Sequence, residues 1–342
     1  MSGRGLLVLG VLAALAVVGA VLTRQPIDDV PETDTRPYFL PGLQERLEDV
    51  SRVEVRSPSG EALARVERRD RGWVVANRWD HPADLESLRG TLIGLAEARE
   101  LEPKTDRVDG HARLGVAAPG SGSGSGLEVT LHGPGEPQSV VIGEPSTGEV
   151  GGTYLRRAGE DRAWLVSGEL PRHDRISDWL NDLLVDVPAI RVHRVRIEPV
   201  DGEPVNVLLP SQDAPRFEIL DIPEGRRALS RTLSKSIARG IADLRLVDVR
   251  PAADTRLPPR LATTRFELFS GLTIEIEVFA PGRGQLGDGL ARLHAFAPTD
   301  AVSDVRERAD ALNARFDGWL YRLPEYKFVN LSYRFDQVLA PE

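Results

Sequence analysis

The feature that most constrains this chain is Leu6–Leu22, LLVLGVLAALAVVGAVL, a run without a charge or a hydrogen-bonding side chain. As a helix it would rise about 26 Å at ~1.5 Å per residue, near the lower limit for crossing a ~30 Å hydrocarbon core. A helix satisfies its own backbone groups in lipid, so composition and geometry agree. Arg4 and the amino terminus precede the run, while Arg24 and then Asp28, Asp29, Glu32 and Asp34 follow it. The asymmetry favours residues 1–24 as a single-pass anchor in the cytoplasmic (inner) membrane, N-terminus inside, with the bulk of the chain extracytoplasmic. Two other readings stay open. Val18-Gly19-Ala20 offers small residues for cleavage of a signal peptide, and the run could instead be a buried core helix.

Beyond the run the composition is globular, with 41% hydrophobic and 28% charged residues overall. Residues 25–37 are acidic and proline-bearing (Pro26, Pro31, Pro37) and read as an extended spacer. About 305 residues remain, room for two cores of ~150 residues. The net charge of -9 and the lack of a long basic run argue against a nucleic-acid partner. The absence of cysteine excludes disulfides, thiolate metal sites, a cysteine nucleophile and a lipid-modified cysteine. The arginine excess, with Lys104, Lys235 and Lys327 the only lysines, clusters on no element and reads as codon bias.

Periodicity supplies the elements. Leu43, Leu47 and Val50 have helical spacing, whereas Val53 and Val55 alternate as a strand. Ala62–Glu67 and Trp73–Val75 continue the strand pattern, with turns at Pro58-Ser59-Gly60 and Asp70-Arg71-Gly72. Asp84 suits the N-cap of a helix with the stripe Leu85, Leu88, Leu92, Leu95. Pro119–Gly126 reads as a flexible surface connection; no Gly-Lys-Ser/Thr ending makes it a phosphate loop. Strands resume at 127–131, 140–142, 154–156 and 164–166, and Ile176, Trp179, Leu180, Leu183 and Leu184 predict a helix face.

The same order then restarts. Arg52-Val53-Glu54-Val55 matches Arg194-Val195-Arg196-Ile197, and Gly60-Glu61 matches Gly202-Glu203, both at an offset of 142. Trp73 falls opposite Phe217, and Leu88, Thr91 and Leu92 fall opposite Leu229, Thr232 and Leu233. Trp164-Leu165 matches Trp319-Leu320, and Leu170-Pro171 matches Leu323-Pro324. A closing helix bearing Phe328, Leu331, Phe335 and Val338 ends the second unit. The expected fold is α+β: an N-terminal transmembrane helix, then tandem units at 38–188 and 189–342, each an antiparallel sheet with helices on one face.

The motifs that suggest chemistry have plainer readings. Gly282-Arg283-Gly284-Gln285-Leu286-Gly287 fits G-x-G-x-x-G, but Leu290–Phe296 after it reads as a strand, which makes the motif a hairpin connection. His81, His111, His132, His173, His193 and His294 show no metal-ligand spacing and read as surface or loop residues, with Asp174 capping a following helix. Glu275 and Glu277 could be an acid–base pair for glycoside cleavage, but their alternation is that of a solvated strand face. Trp73, Trp79, Trp164, Trp179 and Trp319 could stack on sugar rings, but three of them lie in strand or helix stripes that must face a core, and Trp79 is the least constrained by pattern.

Several segments together resemble domain of unknown function 4340. They are the apolar run, Tyr38-Phe39-Leu40-Pro41-Gly42-Leu43, Gly72-Trp73-Val74-Val75, Tyr154-Leu155-Arg156-Arg157, Trp164-Leu165-Val166, and Leu312-Asn313-Ala314-Arg315 through Trp319. The resemblance implies a membrane-anchored envelope protein associated with an ABC-type export system of the gliding-motility kind, and transfers no active site. The expectation is therefore a non-enzymatic interaction module with no catalytic, cofactor or metal residue. Its partners would be the bilayer through residues 6–22 and the subunits of an ABC-type transporter complex. A second expectation is a binding protein for a glycan or other envelope ligand, held in a groove between the units.

Overall fold

The computed structural model describes residues 35–230, 232–280 and 289–341. By its contacts the chain divides into Met1–Pro37 and Tyr38–Glu342. The run Leu6–Leu22, the spacer up to residue 34 and the glycine motif at 282–287 lie outside the described residues. Among the described residues no helix is long and apolar enough to cross a membrane.

The unit Tyr38–Glu342 is α+β, with large antiparallel sheets and few helices. Its first half holds β1 (Arg52–Arg56), β2 (Ala62–Arg69), β3 (Gly72–Val75), β4 (His81–Pro82), α1 (Leu85–Glu97), β5 (Glu100–Pro103), the single turn α2 (Val108–His111), β6 (Leu127–His132), β7 (Gln138–Pro145), β8 (Thr153–Arg157) and β9 (Ala163–Val166). The sheet order is β4-β3-β2-β1-β6-β7-β8-β9-β5. Val53 and Val55 of β1 are buried and pair with Val66 and Ala64, while the arginines and Glu54 between them point out. The continuous run Val140–Ile142 in β7 is buried on both faces, because Val116 and Ala163 cover Val141 from the side opposite the main core.

The second half holds β10 (Leu183–Val185), β11 (Val192–Pro199), β12 (Val205–Leu208), β13 (Glu218–Ile219), α3 (Leu233–Ala238), β14 (Leu244–Arg245), β15 (Asp248–Pro251), β16 (Arg260–Leu268), β17 (Thr273–Phe279), β18 (Leu290–Phe296), α4 (Ser303–Phe316), β19 (Trp319–Arg322) and α5 (Glu325–Asn330). Its large sheet runs β13-β12-β11-β16-β17-β18-β19-β15. Without β4, the first sheet follows the same path: a three-strand meander, a jump to a four-strand meander, and an edge strand from the intervening segment. Strands β17 and β18, on either side of the glycine motif, are antiparallel neighbours. Asn313 on α4 acts as a strand substitute, accepting from the Ala295 amide (2.8 Å) and donating to its carbonyl (2.9 Å). Strands β10 and β14 pair as a ribbon between the halves, and one hydrophobic core runs through both from Phe39 to Val338.

Several local expectations are corrected. Leu180 to Leu184 is not helical: a 3-10 turn covers Ile176–Trp179, after which Asn181 donates to the Pro82 carbonyl (2.9 Å) and β10 pairs with β14. Sheet pairing thus takes the backbone groups a helix would have used. The closing segment of the second half is likewise split, into α5 and a 3-10 turn at Phe335–Val338, although Phe328, Leu331, Phe335 and Val338 are all buried. Leu85 is 43% exposed; the buried stripe of α1 is Leu88, Thr91, Leu92 and Leu95, behind an Asp84 carboxylate that caps the Ser87 amide at 2.7 Å.

The register of the two halves also differs from the sequence match. Ala83 bridges Leu180 in the first half and Ala228 bridges Leu339 in the second, and the Asp84 amide donates to Trp179 as that of Leu229 does to Val338. This pairs Leu88 with Leu233, one helical turn from the expected partner Leu229, which is exposed ahead of α3. Finally, Pro119–Gly126 is a packed turn: the Gly126 amide donates to Ala117, the Ser125 hydroxyl to Gly122, and Gly124 lies against Ala112.

Candidate functional site

The histidines disperse, and two are buried. The His111 ring bonds the Asp161 carbonyl through Nε2 at 2.7 Å and is structural. His81 sits 5% exposed, because β4 is held against the second half of the chain. The surface reading of these two is corrected: the rings contact residues far along the chain, His81 the Trp319 ring and His111 the Asp161 carbonyl. His173 packs edge-on to Trp179, and burial holds it below the usual imidazole range. His132 lies by Arg52 and Glu54, and His193 bonds the Leu209 carbonyl. His294 is exposed beside Phe296. The N-cap of the Ile176–Trp179 turn is Arg175 and not Asp174, and the Asp178 carboxylate accepts from the Arg175 amide and guanidinium.

Glu275 and Glu277 occupy the outer face of β17 in an arginine ladder. Arg265 reaches Glu275 at 2.6 Å, and Arg260 and Arg292 both reach Glu277. They line a depression of about 350 Å³ that also meets His294, Asp317 and Trp319. Among the described residues no group of three or more His, Asp or Glu is placed to hold a metal. Trp179 is buried, Trp73 and Trp164 are half-buried strand residues, and Trp79 is 52% exposed.

The residues that converge do so where the two sheets meet. A cavity of about 270 Å³ is lined by His81 from β4, Asn181 and Leu184 from the connection between halves, Arg315 from the end of α4, and Trp319 and Tyr321 from β19. Clefts of about 910 and 530 Å³ are built mainly from loops, with exposed charged groups such as Arg191, Asp213 and Arg308 in one and Glu86 and Arg175 in the other. The junction cavity differs in having buried polar groups on its floor.

Each wall has an identifiable cause. The alternation of β19 turns Leu320 to one face, and Tyr321 is buried with its hydroxyl donating to the Arg315 carbonyl at 2.9 Å. Burial pushes the Tyr321 phenol well above its ordinary range. The Arg315 guanidinium crosses the junction to donate to the Leu183 carbonyl. His81 packs edge-to-face on Trp319, centroids 5.2 Å apart at 78°, with Nδ1 3.1 Å from the Pro82 carbonyl. Desolvation lowers its pKa to about 4, against the pull of Asp248, so at neutral pH the ring is uncharged. Beside it, Arg78 binds Asp248 at 2.7 Å. The site therefore offers an aromatic wall, a neutral imidazole, an amide and one guanidinium.

Sequence reasoning flagged Trp319 through the repeat but missed His81, Arg315 and Tyr321 as a group. The motif Leu312–Arg315 was the available signal. Compared with known proteins, residues 73–260, more than half of the chain, match the domain of unknown function (DUF4340). That span carries His81 and Asn181, whereas Arg315, Trp319 and Tyr321 lie beyond it. No curated protein and no solved structure matches the chain. On the strength of the family match, the chain belongs to the DUF4340 family.

Proposed function

We propose that this protein is a non-enzymatic, membrane-anchored interaction module: residues 6–22 hold it in the cytoplasmic membrane, and the body from residue 38 works outside the cytoplasm as an accessory component of an ABC-type transporter complex. The observation that carries the reading is the way the body begins. Tyr38 and Phe39 are clamped as soon as the spacer ends: Arg99 lies over the Tyr38 ring at 3.8 Å, and Arg157 lies over Phe39 at 4.3 Å while donating to its carbonyl. Among the described residues the core starts at Phe39, immediately after the acidic, proline-bearing spacer. Membership of the DUF4340 family is consistent with this reading.

The body itself is, on this proposal, a duplication of one sheet-and-helix unit, 38–188 and 189–342. The shared strand order and the paired bridges Ala83–Leu180 and Ala228–Leu339 support it. Affinity purification of the full chain from detergent-solubilised membranes, after gentle crosslinking, tests the functional claim. Recovery of transporter subunits is expected, and recovery of the chain alone counts against it.

A second reading, a binding protein for a glycan or other envelope ligand, is favoured by one observation: the cavity between the halves has an aromatic wall. The wall is Trp319, and Trp79, the expected aromatic, does not line it.

A further inference from the structure

The geometry points to the junction cavity, walled by Trp319 and Arg315, as the binding site for a carboxylate-bearing sugar residue. This deepens the second reading above and rests on it. At about 270 Å³ the cavity lies just below the range of drug-sized pockets and suits one small ring. Trp319 is half-buried, its orientation fixed by the edge of His81, and so presents a flat apolar surface of the kind that meets the C–H face of a pyranose.

The polar groups supply the rest. With Nδ1–H directed at the Pro82 carbonyl, His81 turns an acceptor, Nε2, away from that bond. An acceptor on the floor suits a hydroxyl donor, and the neutral state enforced by burial preserves it. The Asn181 amide at the rim can both donate and accept. Arg315 is the single charged residue of the lining. One of its N–H groups is committed to Leu183, and the remainder of its five donors have no partner among the described residues. Asp248, the acid nearest in influence to His81, is engaged by Arg78. A fixed guanidinium facing a cavity that holds no carboxylate of its own is matched by a ligand that brings one. Trp319 also borders the depression of Glu275 and Glu277, so the sugar can belong to a longer chain that continues across the tryptophan.

The test is tryptophan fluorescence titration of the full chain in detergent micelles with glucuronic acid, glucose and acetate. The expected result is a saturable change with glucuronic acid, roughly tenfold weaker binding of glucose, and no displacement of glucuronic acid by equimolar acetate. Arg315→Gln, at an exposed position, should equalise glucuronic acid and glucose. Trp319→Leu, with folding checked by circular dichroism and binding read by equilibrium dialysis of radiolabelled sugar because this variant lacks the reporting ring, should abolish both. Retention of the acid preference in Arg315→Gln, or displacement by acetate, overturns the proposal. If glucose binds as well as glucuronic acid and Trp319→Leu removes both, the choice of an acidic sugar fails while the ligand-binding reading stands. If neither sugar binds, both fall.

Discussion

Arg78 Nε donates to Asp248 Oδ1 at 2.7 Å, tying the turn after β3 in the first sheet to the edge strand β15 of the second. Both side chains are largely shielded from solvent. The turn that presents Arg78 continues through Trp79 and Asp80, two successive non-glycine residues with φ of 53° and 56°. Left-handed backbone of this kind costs on the order of 1 kcal/mol or more per residue and persists when surrounding contacts over-determine it. The pair should therefore act as a junction fastener. A double-mutant cycle with Arg78→Ala and Asp248→Ala, read by urea denaturation, is expected to give single losses of about 1–2 kcal/mol and a coupling near 1 kcal/mol. Strict additivity would show that the bond contributes nothing.

His81 gives the fold an acid-sensitive element. Its pKa is lowered from 6.5 to about 4 in the folded protein, chiefly by desolvation. Between those values the unfolded chain takes up a proton that the folded chain does not, so stability falls as pH drops through that window. The loss is at most about 3 kcal/mol and is absent above the unfolded value. Urea denaturation of the wild type and of His81→Gln across this range should show a steeper acid-side decline in the wild type. Parallel curves would mean that His81 is not buried as described.

The glycine–serine turn supplies a steric contrast within one segment. A Cβ on Gly124, at φ +74°, would fall 2.2 Å from the Ala112 carbonyl oxygen, whereas one on Gly122, at φ +112°, meets nothing within 4 Å. Gly124→Ala is expected to cost about 2–4 kcal/mol, combining overpacking and backbone strain. Gly122→Ala, with strain alone, should cost about 1 kcal/mol. Thermal unfolding of the two variants checks the order; equal losses would contradict the packed turn.

Lys327 is 5% exposed, and its ammonium donates to the Arg239 (3.1 Å) and Ala242 carbonyls just past α3. Burial pulls its pKa below the usual lysine range. Lys327→Met keeps the apolar stem but takes the donor from the Ala242 carbonyl, while the Arg239 carbonyl keeps the Ala242 amide at 3.1 Å, at a cost of about 1–3 kcal/mol. Amide exchange should quicken around Arg239–Asp243 first, and unchanged protection there would argue against the capping role.

Strands such as β1 and β17 were legible because one face is buried, so Val53 and Val55, or Ile274, Ile276 and Val278, alternate with charges. The junction was not, because Arg78 with Asp248 and His81 with Trp319 are pairs with no local pattern linking them. Leu180–Leu184 misled because a leucine-rich run has helical spacing whether or not its amides are claimed by Pro82 and β14. The match of Leu88 to Leu229 slipped by four residues for a geometric reason: a shift of about one turn leaves a helical stripe nearly unchanged, and Leu229, Thr232 and Leu233 mimic it. The cavity residues shared the fate of the junction, since Arg315, Trp319 and Tyr321 gain their meaning only from the β4 side of the first sheet.

The central claim, that an anchor delivers a self-sufficient body to a partner in the same bilayer, is tested by copurification from cells making one of three forms. These are the full chain, residues 38–342 exported without the apolar run, and residues 38–342 behind an unrelated single-pass anchor. Tethering both partners in one membrane raises their effective concentration toward the millimolar range, so a weak interface suffices there and not in solution. The expected result is transporter subunits recovered with the full chain and with the unrelated anchor, and lost with the free body although it is folded and soluble. Recovery with the free body equal to that with the full chain would contradict the tether. Failure of the unrelated anchor would show that Leu6–Leu22 makes specific helix contacts of its own, through residues such as Gly10 or Gly19.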